Sequence, residues 1–206
     1  MDLITTARPP LLLAAVSSEL AGLDSFPPTG WQVRCTGVGV VMASIVTSKL
    51  LMTLKPSRVL VVGTCGSYDK NHLLVGDFLI VSEAISTSLD LFKGRAYRPV
   101  IEQYRWLATL NVPVDLDFPI LPVAVTPGVT MTIGGAKLLS SIAVAEHLEL
   151  TGIFAACHEA DIPCGAILAV ANQVGPKAHA QWLANHEIVS HMLIDTLRDS
   201  GIFDLL

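Results

Sequence analysis

LELTGIFAACHEADIPCGAILAVANQVGPKAHAQW, residues Leu148 to Trp182, is the stretch on which the fold turns. It opens on a carboxylate, Glu149, set between Leu148 and Leu150. A helix-like run, Thr151 to Ala160, closes at Asp161-Ile162-Pro163. Cys164 to Ala171 is then a continuous apolar run of the length and texture of a buried strand. That run is expected to stop at Asn172, and Gly175-Pro176 to turn the chain into a last amphipathic helix carrying Trp182. A carboxylate at the head of one element and a carboxamide at the carboxyl end of a buried strand stand where an open α/β sheet places its ligand groups.

Working outward, the rest of the chain repeats the alternation of strand and helix. Leu11 to Val16 reads as the first buried strand, and Ser17 as a cap for a short helix. Glu19 follows just beyond that strand's carboxyl end. Two readings of it stand open: a first-turn carboxylate favoured by the helix dipole, or a general base at the mouth of the sheet. Trp31 to Cys35 is a second strand. Thr36-Gly37-Val38-Gly39 leads into Val40 to Leu54, a helix apolar on almost every side, and the two glycines let the backbone approach a ligand or neighbour closely. Met42 stands where a dinucleotide fingerprint needs a third glycine.

Val59 to Val62 is the clearest buried strand, running into Gly63-Thr64-Cys65-Gly66-Ser67. These small residues either leave N–H groups and the Thr64 hydroxyl free for a polar ligand, or form an ordinary strand-to-loop turn. The lysine of a phosphate-binding loop is missing. Phe78 to Val81 reads as a strand after a turn held by Asp77, Ser86 to Pro99 as a long irregular excursion, and Val100 to Leu110 as a helix. Phe118 to Val125 is one more strand, after which Thr130 and Met131 either face a pocket or serve as cap and core.

Of 206 residues, 51% are hydrophobic and 15% charged. One domain spanning residues 1–206 and buried on both faces of its sheet is expected, and so few charges point to a homodimer or higher homo-oligomer. The mean hydropathy is positive, yet no apolar run approaches the roughly 18 to 20 residues of a spanning helix. A net charge of -5 without a Lys/Arg cluster argues against nucleic acid. Cysteines 35, 65, 157 and 164 form no C-x-x-C, and no histidine lies at ligand spacing. No structural metal, reduced thiols and a cytoplasmic protein without an export signal are therefore expected. Among His72, His147, His158, His179, His186 and His191, only His147 earns a supporting role, beside Glu149. The class is α/β.

Four segments then fall in a recognisable order: A-x-x-x-E from Ala15 to Glu19; TGVG; VVGTCGS with a downstream VGD; and LELTG…C-x-x-x-x-I-P…AVANQVG. Together they resemble the nucleoside phosphorylase/nucleosidase superfamily, in the hydrolytic branch that includes methylthioadenosine/S-adenosylhomocysteine nucleosidase and futalosine hydrolase of menaquinone biosynthesis. The resemblance implies a three-layer αβα sandwich around a central mixed, twisted sheet. It implies cleavage of a purine nucleoside's N-glycosidic bond by water, without metal or organic cofactor. The ending Ala171-Asn172-Gln173-Val174-Gly175-Pro176 looks most like futalosine hydrolase; the methylthioadenosine enzymes carry Asp where this chain has Asn172. A carboxamide NH2 donates to both N7 and O6 of a 6-oxopurine.

By the same resemblance, Glu19 matches the general base and Glu149 the carboxylate that binds the ribose hydroxyls and steadies an oxocarbenium-like transition state. Asn172 matches the residue that holds the departing base. Thr64, Cys65 and Gly66 would line ribose and base, Leu148 would pack beneath the sugar, and Trp182 would close over the purine. Leu168 and Ala171 depart from the Arg and Ser of many relatives. A nucleoside-binding protein without turnover is the reading from another class.

Overall fold

The computed structural model describes residues 8–68, 73–112 and 116–206; His72 lies outside them. Strand β1 (Leu11–Ala14) is fully buried, sending Leu11 and Leu13 into one core and Leu12 and Ala14 into the other. A single 3₁₀ turn (Ser17–Leu20) follows, then β2 (Gln32–Cys35) and α1 (Val40–Leu54). Ser17 does not cap that turn: its hydroxyl is tied to Asp24, and Val16 occupies the cap position.

Strand β3 (Val59–Ser67) does not end at Val62 but runs straight through Gly63 to Ser67. It is paired along its length with β8 (Cys164–Gln173), the late apolar run, which likewise carries on past Asn172. Between them in the chain come β4 (Phe78–Ser86), α2 (Leu89–Phe92), β5 (Arg105–Leu107), β6 (Ile120–Val125), α3 (Ile133–Leu139), β7 (Ala145–His147) and α4 (Leu150–Glu159). Helices α5 (Ala178–Asp199) and α6 (Ile202–Leu205) close the chain.

The helix read into Val100 to Leu110 is absent. Val100 and Ile101 are exposed, and from Tyr104 to Leu110 burial alternates with a period of two residues. That is the period of a strand, and β5 pairs antiparallel with β4, Trp106 opposite Ala84. The excursion from Ser86 to Pro99 begins as the end of β4 and contains the short α2.

The eight-stranded mixed sheet follows the order β2-β1-β3-β7-β6-β4-β5, and β8 is parallel to β3 and antiparallel to β4. Strands β3, β7, β6, β4 and β8 therefore close a ring. Both faces of β8 are covered, which is why its sequence is a run rather than an alternation. One core packs Ala43 and Leu51 of α1 and Ile153, Phe154 and Cys157 of α4 against the sheet. The other packs Val189, Leu193, Ile194 and Leu197 of α5 on the opposite face. Helices α1 and α4 cross at Gly152, where a Cβ would meet the Val40 carbonyl oxygen at 2.5 Å. Among the described residues no helix is long and apolar enough to cross a membrane.

Candidate active site

The carboxyl ends of β1, β3, β7 and β8 meet at a cavity of about 260 Å³ with mostly apolar walls. Ala15, Val16, Val38, Val129, Leu148 and Ala178 form those walls. Into it come Glu19, Thr64, Cys65, Gly66, Glu149, Asn172 and Trp182, seven residues from stretches up to 163 positions apart. Thr130 and Met131 do not line it, although their neighbour Val129 does.

Glu19 hangs from the 3₁₀ turn, buried, above β3. Its Oε1 accepts from the Thr64 N–H at 2.9 Å and the Thr64 hydroxyl at 2.6 Å, and its Oε2 from the Ala15 N–H at 3.2 Å. The carboxylate lies against Gly63, where a Cβ would stand 3.3 Å from Oε2. The backbone groups expected to be free at Gly63 to Ser67 are thus in use: β8 pairs with the strand and Glu19 takes the Thr64 N–H.

Glu149 occupies the cap position of α4 without capping it. Its Oε1 accepts instead from the Gly39 N–H at 2.7 Å. Gly39 has φ of 89°, a left-handed conformation that glycine adopts freely, so the TGVG segment turns its amide toward a residue 110 positions away. His147 Nδ1 lies 3.1 Å from Glu149 Oε2 and 3.1 Å from the Glu149 N–H. That nitrogen serves one of them at a time, donating to the carboxylate when it carries a proton and accepting from the amide when bare.

Asn172 is buried, and its carboxamide has no hydrogen-bond partner among the described residues. Buried polar groups are ordinarily paired, so an amide left open at a cavity marks a place for a ligand's polar atoms. Gly66 sets its position: a Cβ there would lie 2.8 Å from Asn172 Nδ2 and 2.9 Å from Val174 Cγ2. Cys65 beside it stays a thiol, because burial and then the charge of Glu19 push its pKa far up.

Sequence reading missed Glu146 and His179, both in the cavity wall. Glu146 Oε1 accepts from the Thr130 N–H at 2.8 Å; its Oε2 accepts from the Thr130 hydroxyl at 2.5 Å and the Tyr68 hydroxyl at 3.0 Å. The Thr130 hydroxyl, expected to meet a ligand, is therefore committed to Glu146. The available signal was a charge inside the apolar run Ile142 to Leu150. For His179 it was its place three residues before Trp182, on the same helix face. No Lys or Arg is among the described residues lining the cavity, whose ionisable side chains include three carboxylates, Glu19, Glu146 and Glu149, and two imidazoles, His147 and His179. No group of three or more His, Cys, Asp or Glu among the described residues could hold a metal ion.

A family model described as the phosphorylase superfamily matches residues 32–132. No curated protein matches the chain. Among solved structures, 5'-methylthioadenosine/S-adenosylhomocysteine nucleosidase from Helicobacter pylori, in a structure with butyl-thio-DADMe-Immucillin-A, is similar with a TM-score of 0.83. It shares 16% identity, over 98% of this chain and 100% of that one. Futalosine hydrolase of Helicobacter pylori, in its native structure, also gives 0.83 at 16% identity, over 97% and 99%. A methylthioadenosine/S-adenosylhomocysteine nucleosidase from Colwellia psychrerythraea in complex with adenine gives 0.75 at 16% identity, over 90% of both chains. The mixed α/β sheet of this chain is the fold these proteins share.

Proposed function

We propose that this protein is a nucleosidase that hydrolyses the N-glycosidic bond of a purine nucleoside. The observation that carries the reading is the convergence of Glu19, Glu149 and Asn172 on one cavity walled by apolar side chains. Water attacks C1′ of the ribose while Glu19 takes its proton. The C1′–N9 bond breaks, its electron pair leaves with the purine, and positive charge grows on the sugar. A fixed carboxylate in a dry site stabilises that charge more than it stabilises the neutral substrate. Glu149 is that carboxylate, held by Gly39, and it also accepts from the ribose hydroxyls. Asn172, with no partner of its own, donates to the departing base.

Hydrolysis rather than phosphorolysis is supported by the charge of the lining. Glu19, Glu146 and Glu149 line the cavity with His147 and His179 and, among the described residues, no lysine or arginine, an environment that disfavours a phosphate nucleophile and tolerates water. Futalosine, which would give hypoxanthine and dehypoxanthine futalosine, is the favoured substrate, because an amide NH2 donates to both N7 and O6 of a 6-oxopurine. Methylthioadenosine or S-adenosylhomocysteine is the second candidate, favoured by structural neighbours of that activity. A homo-oligomer is part of the proposal: Val41, Met42, Ile45 and Met52 of α1 are exposed, beside Val38 at the cavity, and a second copy would cover them.

The test is incubation of the purified protein with futalosine, methylthioadenosine, S-adenosylhomocysteine and inosine, with the released base read by chromatography with and without phosphate. Free hypoxanthine from futalosine, independent of phosphate, is the expected result. Absence of any released base from all four substrates overturns the proposal.

A further inference from the structure

Trp182 is joined to the carboxylate of Glu19 by a chain of two hydrogen bonds. Its indole Nε1 donates to the Thr64 hydroxyl at 3.0 Å, and that hydroxyl lies 2.6 Å from Glu19 Oε1. The polarity of the chain is fixed by the inventory of protons. An indole nitrogen is a donor only, and a threonine hydroxyl has one proton to give. Thr64 Oγ1 therefore accepts from Trp182 and must spend its proton on Glu19.

Two consequences follow for the carboxylate. Oε1 receives two short hydrogen bonds, from the Thr64 N–H and the Thr64 hydroxyl, while Oε2 receives one of 3.2 Å from Ala15. The oxygen with an uncommitted lone pair is Oε2. The ring of Trp182 is meanwhile engaged by its own helix: His186 stacks on it with centroids 4.0 Å apart and planes 15° from parallel, and His179 lies nearly parallel at 6.3 Å. The His186 contact covers one face of the indole and holds the plane of its ring, and with it the direction in which Nε1 points.

We infer that Trp182 is a positioning residue for Glu19, acting through the Thr64 hydroxyl, and that Glu19 takes the proton of water on Oε2. The inference rests on the nucleosidase reading for its chemistry, but the hydrogen-bond chain is testable without turnover. In a protein labelled with ¹⁵N at tryptophan, loss of the corresponding peak in Trp182→Phe assigns the indole N–H. Thr64→Val is then expected to move that resonance and expose the proton to faster solvent exchange. A resonance unmoved by Thr64→Val overturns the inference, whether or not any nucleoside is cleaved.

Kinetics separate positioning from stacking. Trp182→Phe keeps an aromatic ring and removes the N–H, so kcat is expected to fall about 10-fold, the worth of one hydrogen bond, with KM little changed. In the Thr64→Val background the same change is expected to do nothing more, because the chain is already cut. A raised KM with kcat intact, or an equal loss in both backgrounds, assigns Trp182 to stacking on the base and sinks the inference. If wild-type protein releases no base, the nucleosidase reading falls, and the indole resonance alone decides whether the chain exists.

Discussion

Glu19 is read as the group that activates water, so Glu19→Gln is the most informative single change. The amide keeps the shape and can still accept from Thr64, but it cannot take a proton. A loss of about 10²- to 10⁴-fold in kcat is expected, with product binding retained in equilibrium titration; unchanged turnover would remove Glu19 from the chemistry. Asn172→Asp asks what the open amide is for. A carboxylate repels O6 of a 6-oxopurine, so hydrolysis of futalosine is expected to drop relative to methylthioadenosine in a competition assay. Cys65 offers a prediction about stability. Burial and the charge of Glu19 hold its pKa far above the 9.0 it regains on unfolding. The unfolded chain thus gives up a proton that the folded chain keeps. The contribution is fully present below that value and is lost as pH rises beyond it, by up to about 1.4 kcal/mol per pH unit. Thermal midpoints followed upward from about pH 8 are expected to fall, and Cys65→Ala to fall less steeply; parallel curves would assign the loss to other groups.

At the scale of elements, the site is built where strands run close together, and glycines make that approach possible. Gly66→Ala would drive a Cβ to within 2.8 Å of Asn172 Nδ2 and 2.9 Å of Val174 Cγ2, at the point where the register of β3 with β8 shifts between Cys65 and Gly66. The expected result is a folded protein with KM raised about 10-fold, consistent with one weakened hydrogen bond to the base. Gly152→Ala, in contrast, meets backbone, the Val40 carbonyl at 2.5 Å. It is expected to destabilise by about 1–3 kcal/mol in urea unfolding, through separation of α1 and α4. The strand through Gly63 to Ser67 shows why local reading stopped too early. Small residues resemble a turn when read along the chain, yet here they are small because Glu19 lies over Gly63 and Asn172 over Gly66. In the segment after Pro99, aromatic and aliphatic residues fit a helix by composition, and only pairing with β4 selected the strand period.

For the whole molecule, α1 leaves Val41 68% and Ile45 57% exposed, a surface read as covered by a second copy. Ile45→Glu is expected to convert an oligomer to a monomer in sedimentation velocity, and a monomeric wild type would overturn that reading. The sequence by itself determined the α/β class, both late helices, the buried strands at Leu11, Val59 and Cys164, and the residues Glu19, Glu149 and Asn172 as a set to be tested. The elements were legible because burial on one or two faces imposes a period or an unbroken run that each segment carries locally, and the three residues because the order of the motifs resembles the nucleosidase branch. Tertiary structure alone decided that β8 closes a ring between β3 and β4, that Gly39 holds Glu149, that Thr130 serves Glu146, and that the indole of Trp182 reaches Thr64. Each of these is a contact between segments whose partners are named nowhere in either segment. The same hydroxyl, amide or indole has many acceptors available to it, and only the packed sheet leaves it one.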